Sequence, residues 1–383
     1  MRRFARGKMG PGLPERANAR YALWAMKLSR FAFTLSTAVL AACTAFGPTA
    51  FAQNKGSLRI AAIDVEGGQA TLFIAPGGQS LLVDTGWPAH DGRDADRIVA
   101  TAKQMGLSRI DTVLLTHYHT DHAGGVPQLV ERIPVGTFID HGERFKPDPD
   151  SPAAYDEYLK IIASGKSRRV TVKAGDKLPV AGFDAVAISA AGKVLDAALP
   201  GAGKPNALCA HAPSPTEDMQ ENGQSLGILL RFAGLKIVDA GDLTSDRERM
   251  LVCPANKIGP VDLMIVSHHG SDWSSSPVFV HSLQPRVAVM DNGDHKGGST
   301  SVIDTFRSLP GLQALYQLHL APAAGTKNPG GTPQGGAEHN VPEEFVANTA
   351  GVDGKRIDIT VHPDGTMDVR NERTGATRHF ARH

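Results

Sequence analysis

The chain has 383 residues, 41% of them hydrophobic and 21% charged, with a formal net charge of +1. That length allows one large domain or two ordinary ones, and the 41 glycines and 25 prolines favour a loop-rich globular protein over long helices. The balanced charge excludes the long-range pull that tight, sequence-independent binding of duplex nucleic acid requires.

The N-terminus departs from this globular pattern. Lys27 and Arg30 precede the apolar run 31–43, and Ala50-Phe51-Ala52 follows, with Gln53 next. A basic start, a short apolar core and a small-residue cleavage site predict an export segment over 1–52. The 25 residues before Met26 are long for such a leader, so Met26 is an alternative start. Leu40-Ala41-Ala42-Cys43 also fits a bacterial lipoprotein site, with a lipid on Cys43 as the one expected membrane contact. Either reading places the mature protein in the periplasm or outside the cell. Cys209 and Cys253 then remain. An oxidising compartment permits a disulfide between them, and His211 leaves a metal role for Cys209 open.

Strand-like runs follow at 57–65, 70–76 and 80–86, separated by the Gly-Gly pairs 67–68 and 77–78. Helical periodicity over 93–105 leads to a buried strand at 110–117, a helix from Asp121 to Arg132 and a strand at 135–140. The stretch 141–168 reads as an insertion, helical around 153–164, that covers one edge of a site. Strands are predicted at 169–175, 183–190, 225–232 and 235–242. A helix starting near Thr244 or Ser245 precedes strands at 261–270 and 286–292, and another helix spans 300–308. Residues 321–350 read as a long loop, and the C-terminus as a hairpin turning at Pro363-Asp364-Gly365. Early strands followed by alternating strands and helices predict one mixed α/β domain over 53–383.

The chemistry centres on His117-Tyr118-His119-Thr120-Asp121-His122, at the end of the apolar strand 110–117. In extended chain, residues two apart point the same way, so His117 and His119 converge on one cation. Asp121 and His122 open the next helix and face a second cation beside it. Three histidines and an aspartate in this order arise by chance on the order of once in a thousand chains, which disfavours solvated loop histidines. Three further segments end apolar strands in the same way: Asp84 before Thr85-Gly86, Asp242 after Ala240-Gly241, and Ser267-His268-His269-Gly270-Ser271. Asp84 suits the support of a ligating imidazole, and Asp242 suits a bridge between two cations. His141, His295 and His339 read as solvated loop residues.

Taken as an ordered set, these motifs resemble the metallo-β-lactamase-fold hydrolases. The resemblance implies a four-layer α/β/β/α sandwich with a dinuclear centre at one edge of the sheets. Carried over, it makes His117 and His119 ligands of the first metal, Asp121, His122 and His269 ligands of the second, and Asp242 the bridge. Asp84 supports the site, and His269 is preferred over His268 because a glycine follows it. The family commonly supplies a further histidine to the first metal where this chain reads Glu221-Asn222-Gly223-Gln224-Ser225. The branch most similar here is the soluble hydrolase domain attached to the DNA-uptake channel protein of bacterial competence, which also carries Asn and Ser at this place. Asn222, water or substrate would complete that shell, with His211 as a substitute and Ser225 as a neighbour that supports it.

The expected reaction is hydrolysis at two divalent cations, with zinc preferred and manganese the alternative; a water shared between them is acidified and attacks phosphorus or a carbonyl. His268 or Ser271 would donate to the developing charge or the leaving group, and Asp121 is indispensable to the reaction. Expected substrates are small phosphodiesters or short oligonucleotides. Lactone, β-lactam or thioester hydrolysis is the alternative of the same fold, and an inactive metal- or partner-binding module is the alternative of another class.

Overall fold

The computed structural model describes residues 56–88, 90–217, 220–321, 339–350 and 353–382; the expected export segment, with Met26 and Cys43, lies outside them. The chain enters through β1 (Leu58–Ala62), β2 (Thr71–Ile74) and β3 (Ser80–Val83). Helix α1 (Arg93–Gln104), β4 (Ile110–Leu114), the short helices α2 (Thr120–Ala123) and α3 (Val126–Arg132), β5 (Val135–Asp140), α4 (Pro152–Ala163) and β6 (Arg168–Thr171) follow. The second half opens with β7 (Asp184–Ala190), the two-residue strands β8 (Lys193–Val194) and β9 (Lys204–Pro205), then β10 (Gly227–Phe232) and β11 (Leu235–Asp239). Next come α5 (Ser245–Val252), β12 (Ala255–Asn256), β13 (Leu263–Ile265), α6 (Pro277–Leu283), β14 (Val287–Met290), α7 (Thr300–Arg307) and β15 (Ala314–His319). The chain closes with β16 (Val346–Asn348), β17 (Ile357–Val361), β18 (Met367–Asn371) and β19 (Thr377–Phe380).

Among the described residues these strands form a nine-stranded sheet, ordered β19-β18-β17-β1-β2-β3-β4-β5-β6, and an eight-stranded sheet, ordered β16-β15-β14-β13-β11-β10-β7-β8. The period-two alternation of strands gives each sheet two apolar faces. In β1, Leu58, Ile60 and Ala62 meet Ile228, Leu230 and Ile265 of the other sheet, while Ala61 turns to the opposite side. There it joins Ala95, Ile98, Val99 and Ala102, the i, i+3, i+4, i+7 stripe of α1. Helix α1 stops where Gly106, at φ 86°, lets Leu107 N–H turn back onto the Ala102 carbonyl. On the second sheet, Val238, Met264 and Ala288 pack against Leu251 of α5, Phe279 of α6 and Phe306 of α7. Helices, sheet, sheet and helices thus make the expected α/β/β/α sandwich, and truncating a ring such as Phe279 or Phe306 costs about 3–5 kcal/mol.

Several expectations change. The helix foreseen over Asp121–Arg132 is two helices, because the Asp121 carbonyl accepts from Gln69 N–H and Gly125 N–H donates to the Gly86 carbonyl instead of closing an internal turn. Residues 321–350 are not all loop: β16 adds parallel to β15 within them, and 322–338 lie outside the described residues. The strand β15, the helix α6 and the third C-terminal strand β19 had no counterpart in the sequence reading. No helix among the described residues is long and apolar enough to cross a membrane.

Cys209 and Cys253 form a disulfide with Cα atoms 5.8 Å apart, which removes Cys209 as a metal ligand. The bond closes a loop of sequence separation 44, so replacing both cysteines by serine is expected to lower stability by about 2–4 kcal/mol. Urea unfolding under non-reducing conditions checks this: the midpoint falls in the variant, and reductant produces the same fall in the wild type.

Candidate metal centre

Strands β3, β4, β5 and β6 run parallel in one sheet, and β11, β13, β14, β15 and β16 run parallel in the other. Their carboxyl ends come out at one edge, where α/β folds place their sites. Asp84 follows β3, His117 follows β4, His141 follows β5, Asp242 follows β11, Ser267–Gly270 follow β13 and Asp291 follows β14.

Asp121, His122, Asp242 and His269 are all buried, and their candidate ligand atoms lie within 4.8 Å of one another. His122 is the hub. Its Nε2 stands 3.2 Å from Asp121 Oδ2, from Asp242 Oδ2 and from His269 Nε2. Its Nδ1 lies 2.7 Å from Asp84 Oδ2, and Asp84 also accepts from Thr116 N–H at 2.8 Å and Thr116 Oγ1–H at 2.6 Å. His269 Nε2 is 3.2 Å from Asp121 Oδ2 and 3.4 Å from Asp242 Oδ1. Asp84, His268 and His269 hold left-handed φ values of 59°, 54° and 54°. Such conformations are costly for residues with a Cβ and persist where function demands them.

His117 stands beside this cluster, its Nε2 3.9 Å from Asp242 Oδ2 and its Nδ1 3.0 Å from Thr116 Oγ1. His119 packs edge-on to the His117 ring at 4.7 Å, with its Nε2 3.0 Å from Asp148 Oδ2. Asp242 thus turns Oδ2 to His117 and His122 and Oδ1 to His269. His268 lies on its rim, Nε2 3.4 Å from Asp242 Oδ2 and Nδ1 3.2 Å from Ser274 Oγ. Asn222, Ser271, Trp87, Trp273 and Lys296 share with His119, Asp121, Asp242 and His268 the wall of a cavity of about 480 Å³. Asn222 and Ser225 are buried, and Asn222 Oδ1 and Ser225 Oγ lack hydrogen-bond partners. His211 is exposed and lines a different cavity with Leu208 and Arg249, so the structure does not bring it to the cluster.

The arrangement fits divalent cations. His117 Nε2 and Asp242 Oδ1 are buried without a hydrogen-bond partner, a costly state that a cation between imidazoles and carboxylates relieves. Burial disfavours charge on both members of the acid–imidazole cluster, yet Asp242, Asp121 and Asp84 hold the His122 pKa well above its ordinary value. Burial likewise opposes protonation of His269, but Asp242 outweighs it and pushes the pKa up to about 10. His117 goes the other way, held well below its ordinary range by burial and by its neighbours His122 and His119. Burial also lowers His268 to about 4, so it is neutral at physiological pH.

Several residues at the centre escaped the sequence reading. Asp148, from the inserted stretch, orients His119 and accepts from Glu221 N–H at 2.7 Å. Glu221 is buried and accepts from Tyr118 N–H, with His141 Nε2 3.0 Å from its Oε1. His141 is thus a buried partner of Glu221 and not a solvated loop residue. Asp291 Oδ1 stands 3.5 Å from His269 Nδ1, and Lys296 Nζ contacts Asp121 Oδ2. The signal available for His141 and Asp291 was their place at the carboxyl end of a predicted strand, the signal already used for Asp84 and Asp242.

Residues 64–203 match the metallo-beta-lactamase superfamily. Members of that superfamily are generally hydrolases, and the cluster makes divalent metals the expected cofactor. The domain is similar to competence protein ComA of Neisseria gonorrhoeae, 23% identical over 256 residues that cover 67% of this chain and 30% of the relative. ComE operon protein 3 of Bacillus subtilis is 27% identical over 249 residues, 60% of this chain and 28% of its own. An atrochrysone carboxyl ACP thioesterase of Aspergillus fumigatus is 36% identical over 104 residues, 27% of this chain and 32% of its own. The chain spans about a third of the length of these relatives.

Two outcomes follow from the geometry. Asp84→Ala removes the acceptor that fixes the His122 ring and is expected to weaken metal binding about 10–100-fold, read by competition with a chelating dye. His122 and His269 carry protons at neutral pH before a cation binds, and ligation needs them neutral. Metal affinity is therefore expected to rise with pH between 6 and 8, about tenfold per unit for each proton displaced. Calorimetry in buffers of different ionisation heat counts those protons, and a pH-independent affinity contradicts the assignment.

Proposed function

We propose that the protein is an exported metal-dependent phosphodiesterase that acts on small phosphodiesters or short single-stranded oligonucleotides, with zinc as the preferred metal and manganese the alternative. The carrying observation is Asp242, whose Oδ2 lies 3.9 Å from His117 Nε2 and 3.2 Å from His122 Nε2 and whose Oδ1 lies 3.4 Å from His269 Nε2, so that one carboxylate reaches ligands of both expected sites. A carboxylate shared in this way suits two cations, with His117 and His119 on the first and Asp121, His122 and His269 on the second. Paired divalent cations acidify water and neutralise charge on both the attacking and the leaving oxygen of an in-line displacement, which suits phosphodiesters best.

The chain's own side chains supply orientation and protons. Asp84 accepts from His122 Nδ1–H and so turns Nε2, with its lone pair, towards the cluster. Asp148 holds the Nε2 edge of His119, leaving Nδ1 for a cation. His268 is neutral, and when Ser274 Oγ–H donates to its Nδ1 the proton sits on Nε2, facing the cavity. In that tautomer it donates to the leaving oxygen, and Ser271 on the same wall donates to a non-bridging oxygen. Asn222 completes the first site or holds substrate with its unpartnered Oδ1. The disulfide supports export, because such bonds persist in oxidising compartments. Membrane contact is proposed only through a lipid on Cys43.

The match to the competence proteins runs over more than half of this chain, and that breadth supports the phosphodiester reading. The shorter match to the thioesterase favours a second reading, hydrolysis of a thioester, lactone or β-lactam. Purified mature protein loaded with zinc or manganese separates them on bis(4-nitrophenyl) phosphate, an acyl thioester, a lactone series and nitrocefin. Turnover of the phosphodiester is expected, and Asp121→Ala is expected to lower it at least about 100-fold while weakening metal binding. Turnover of an ester or lactam alone overturns the phosphodiester reading. Bound metal with no turnover of any substrate identifies a binding module instead.

A further inference from the structure

We propose that Lys296 holds the anionic oxygen of the substrate and so makes the site select charged phosphodiesters over neutral esters; this rests on the phosphodiesterase reading. The cavity wall carries the carboxylates Asp121, Asp150 and Asp242, and Lys296 is the one ammonium or guanidinium among the described residues that line it. With Asp121 and Asp242 taken up by the cations of the centre, Asp150 still presents like charge to a phosphodiester monoanion, and an ammonium on the wall offsets that repulsion and adds its own attraction.

Lys296 is placed for this contact. Its Nζ pairs with Asp121 Oδ2, lies 5.3 Å from the centre of the Trp87 ring and leaves the side chain 21% exposed. An ammonium has three N–H donors, so the pairing with Asp121 leaves two for substrate oxygens. The segment that carries it is tied to the metal-ligand turn: Gly298 N–H donates to the His269 carbonyl at 2.9 Å and Ser299 N–H to the Gly270 carbonyl at 2.8 Å. Gly297, at φ +78°, makes this approach possible, since a Cβ there would lie 2.1 Å from the His269 carbonyl oxygen. The backbone of Lys296 is therefore set by the same turn that sets His269, while its flexible four-carbon stem lets the charge follow a phosphate.

The competing role is a purely structural counter-ion for Asp121. Lys296→Ala and Lys296→Arg, each loaded with metal, are compared with the wild type on bis(4-nitrophenyl) phosphate and on its neutral counterpart, diethyl 4-nitrophenyl phosphate, which shares the leaving group. Inorganic phosphate binding is followed by calorimetry and metal content by elemental analysis. For Lys296→Ala the expected results are a KM for the diester about tenfold higher, with kcat changed much less, and phosphate binding weakened about tenfold. The ratio of kcat/KM for diester over neutral ester falls by a similar factor, and Lys296→Arg restores most of each loss. Equal losses on both esters, accompanied by lost metal, overturn the proposal in favour of the counter-ion. If the wild type hydrolyses no diester, the phosphodiesterase reading fails on its own. Phosphate binding then decides for Lys296: a tenfold difference from Lys296→Ala sustains it, and no difference overturns it.

Discussion

Three buried carboxylates, Asp84, Asp121 and Asp242, converge on one imidazole, His122, and the rest of the centre is arranged around that crowding. Carboxylates placed so close in a desolvated pocket repel one another and lose their hydration. His122 and His269 answer part of that charge, which is why their pKa values rise, and Lys296 answers more at Asp121. A site that draws protons and ammonium this strongly is built for cations. The same demand explains why Asp84 takes three hydrogen bonds from Thr116 and His122, since a buried acceptor left unpaired costs more than one never placed there.

A second belt of buried polar groups holds the histidines of the motif in position. Glu221 ties Tyr118, Phe145 and His141 together, and Asp148 links the Glu221 backbone to His119. The inserted stretch before α4 is thus joined to the centre through Asp148 and is not a detached flap. Short glycine contacts complete the fit: a Cβ on Gly125 would lie 2.1 Å from the Thr85 carbonyl oxygen, so the loop after β3 and the turn before α3 meet only without side chains between them. Together these constraints explain how side chains spread from Asp84 to Lys296 share one pocket.

Members of this superfamily are generally hydrolases, and the fold does not choose the bond that is cut, because one scaffold of this kind hosts several reactions. What differs is the wall around the ions. Here it combines two indole rings, Trp87 and Trp273, the amide of Asn222 and the ammonium of Lys296. The amide of Asn222 stands where the resemblance led one to expect a further imidazole, and Lys296 is the one ammonium or guanidinium among the described residues that line the cavity.

Much of this was legible in the sequence. Apolar alternation placed β1 to β5, and the i, i+3, i+4, i+7 spacing of Ala95, Ile98, Val99 and Ala102 placed α1, because these patterns arise within one element. The position of Asp84, His117, Asp242 and His269 at strand ends was equally local. Elements with mixed composition were not: β15 reads ALYQLH, and its polar Gln317 and His319 are buried there because they bond to the Asn340 side chain and to Asp64. Likewise, His141 looked like a solvated residue because its partner Glu221 lies 80 positions away, and the cysteines could be paired only once the chain had folded. By itself, then, the sequence determined the strands and helices that carry a regular apolar period and several of the side chains that end them, since both depend on neighbours a few residues away. Only the tertiary structure decided which buried charges meet, because that depends on how two sheets bring distant strand ends to one edge, and neither period nor motif encodes that distance.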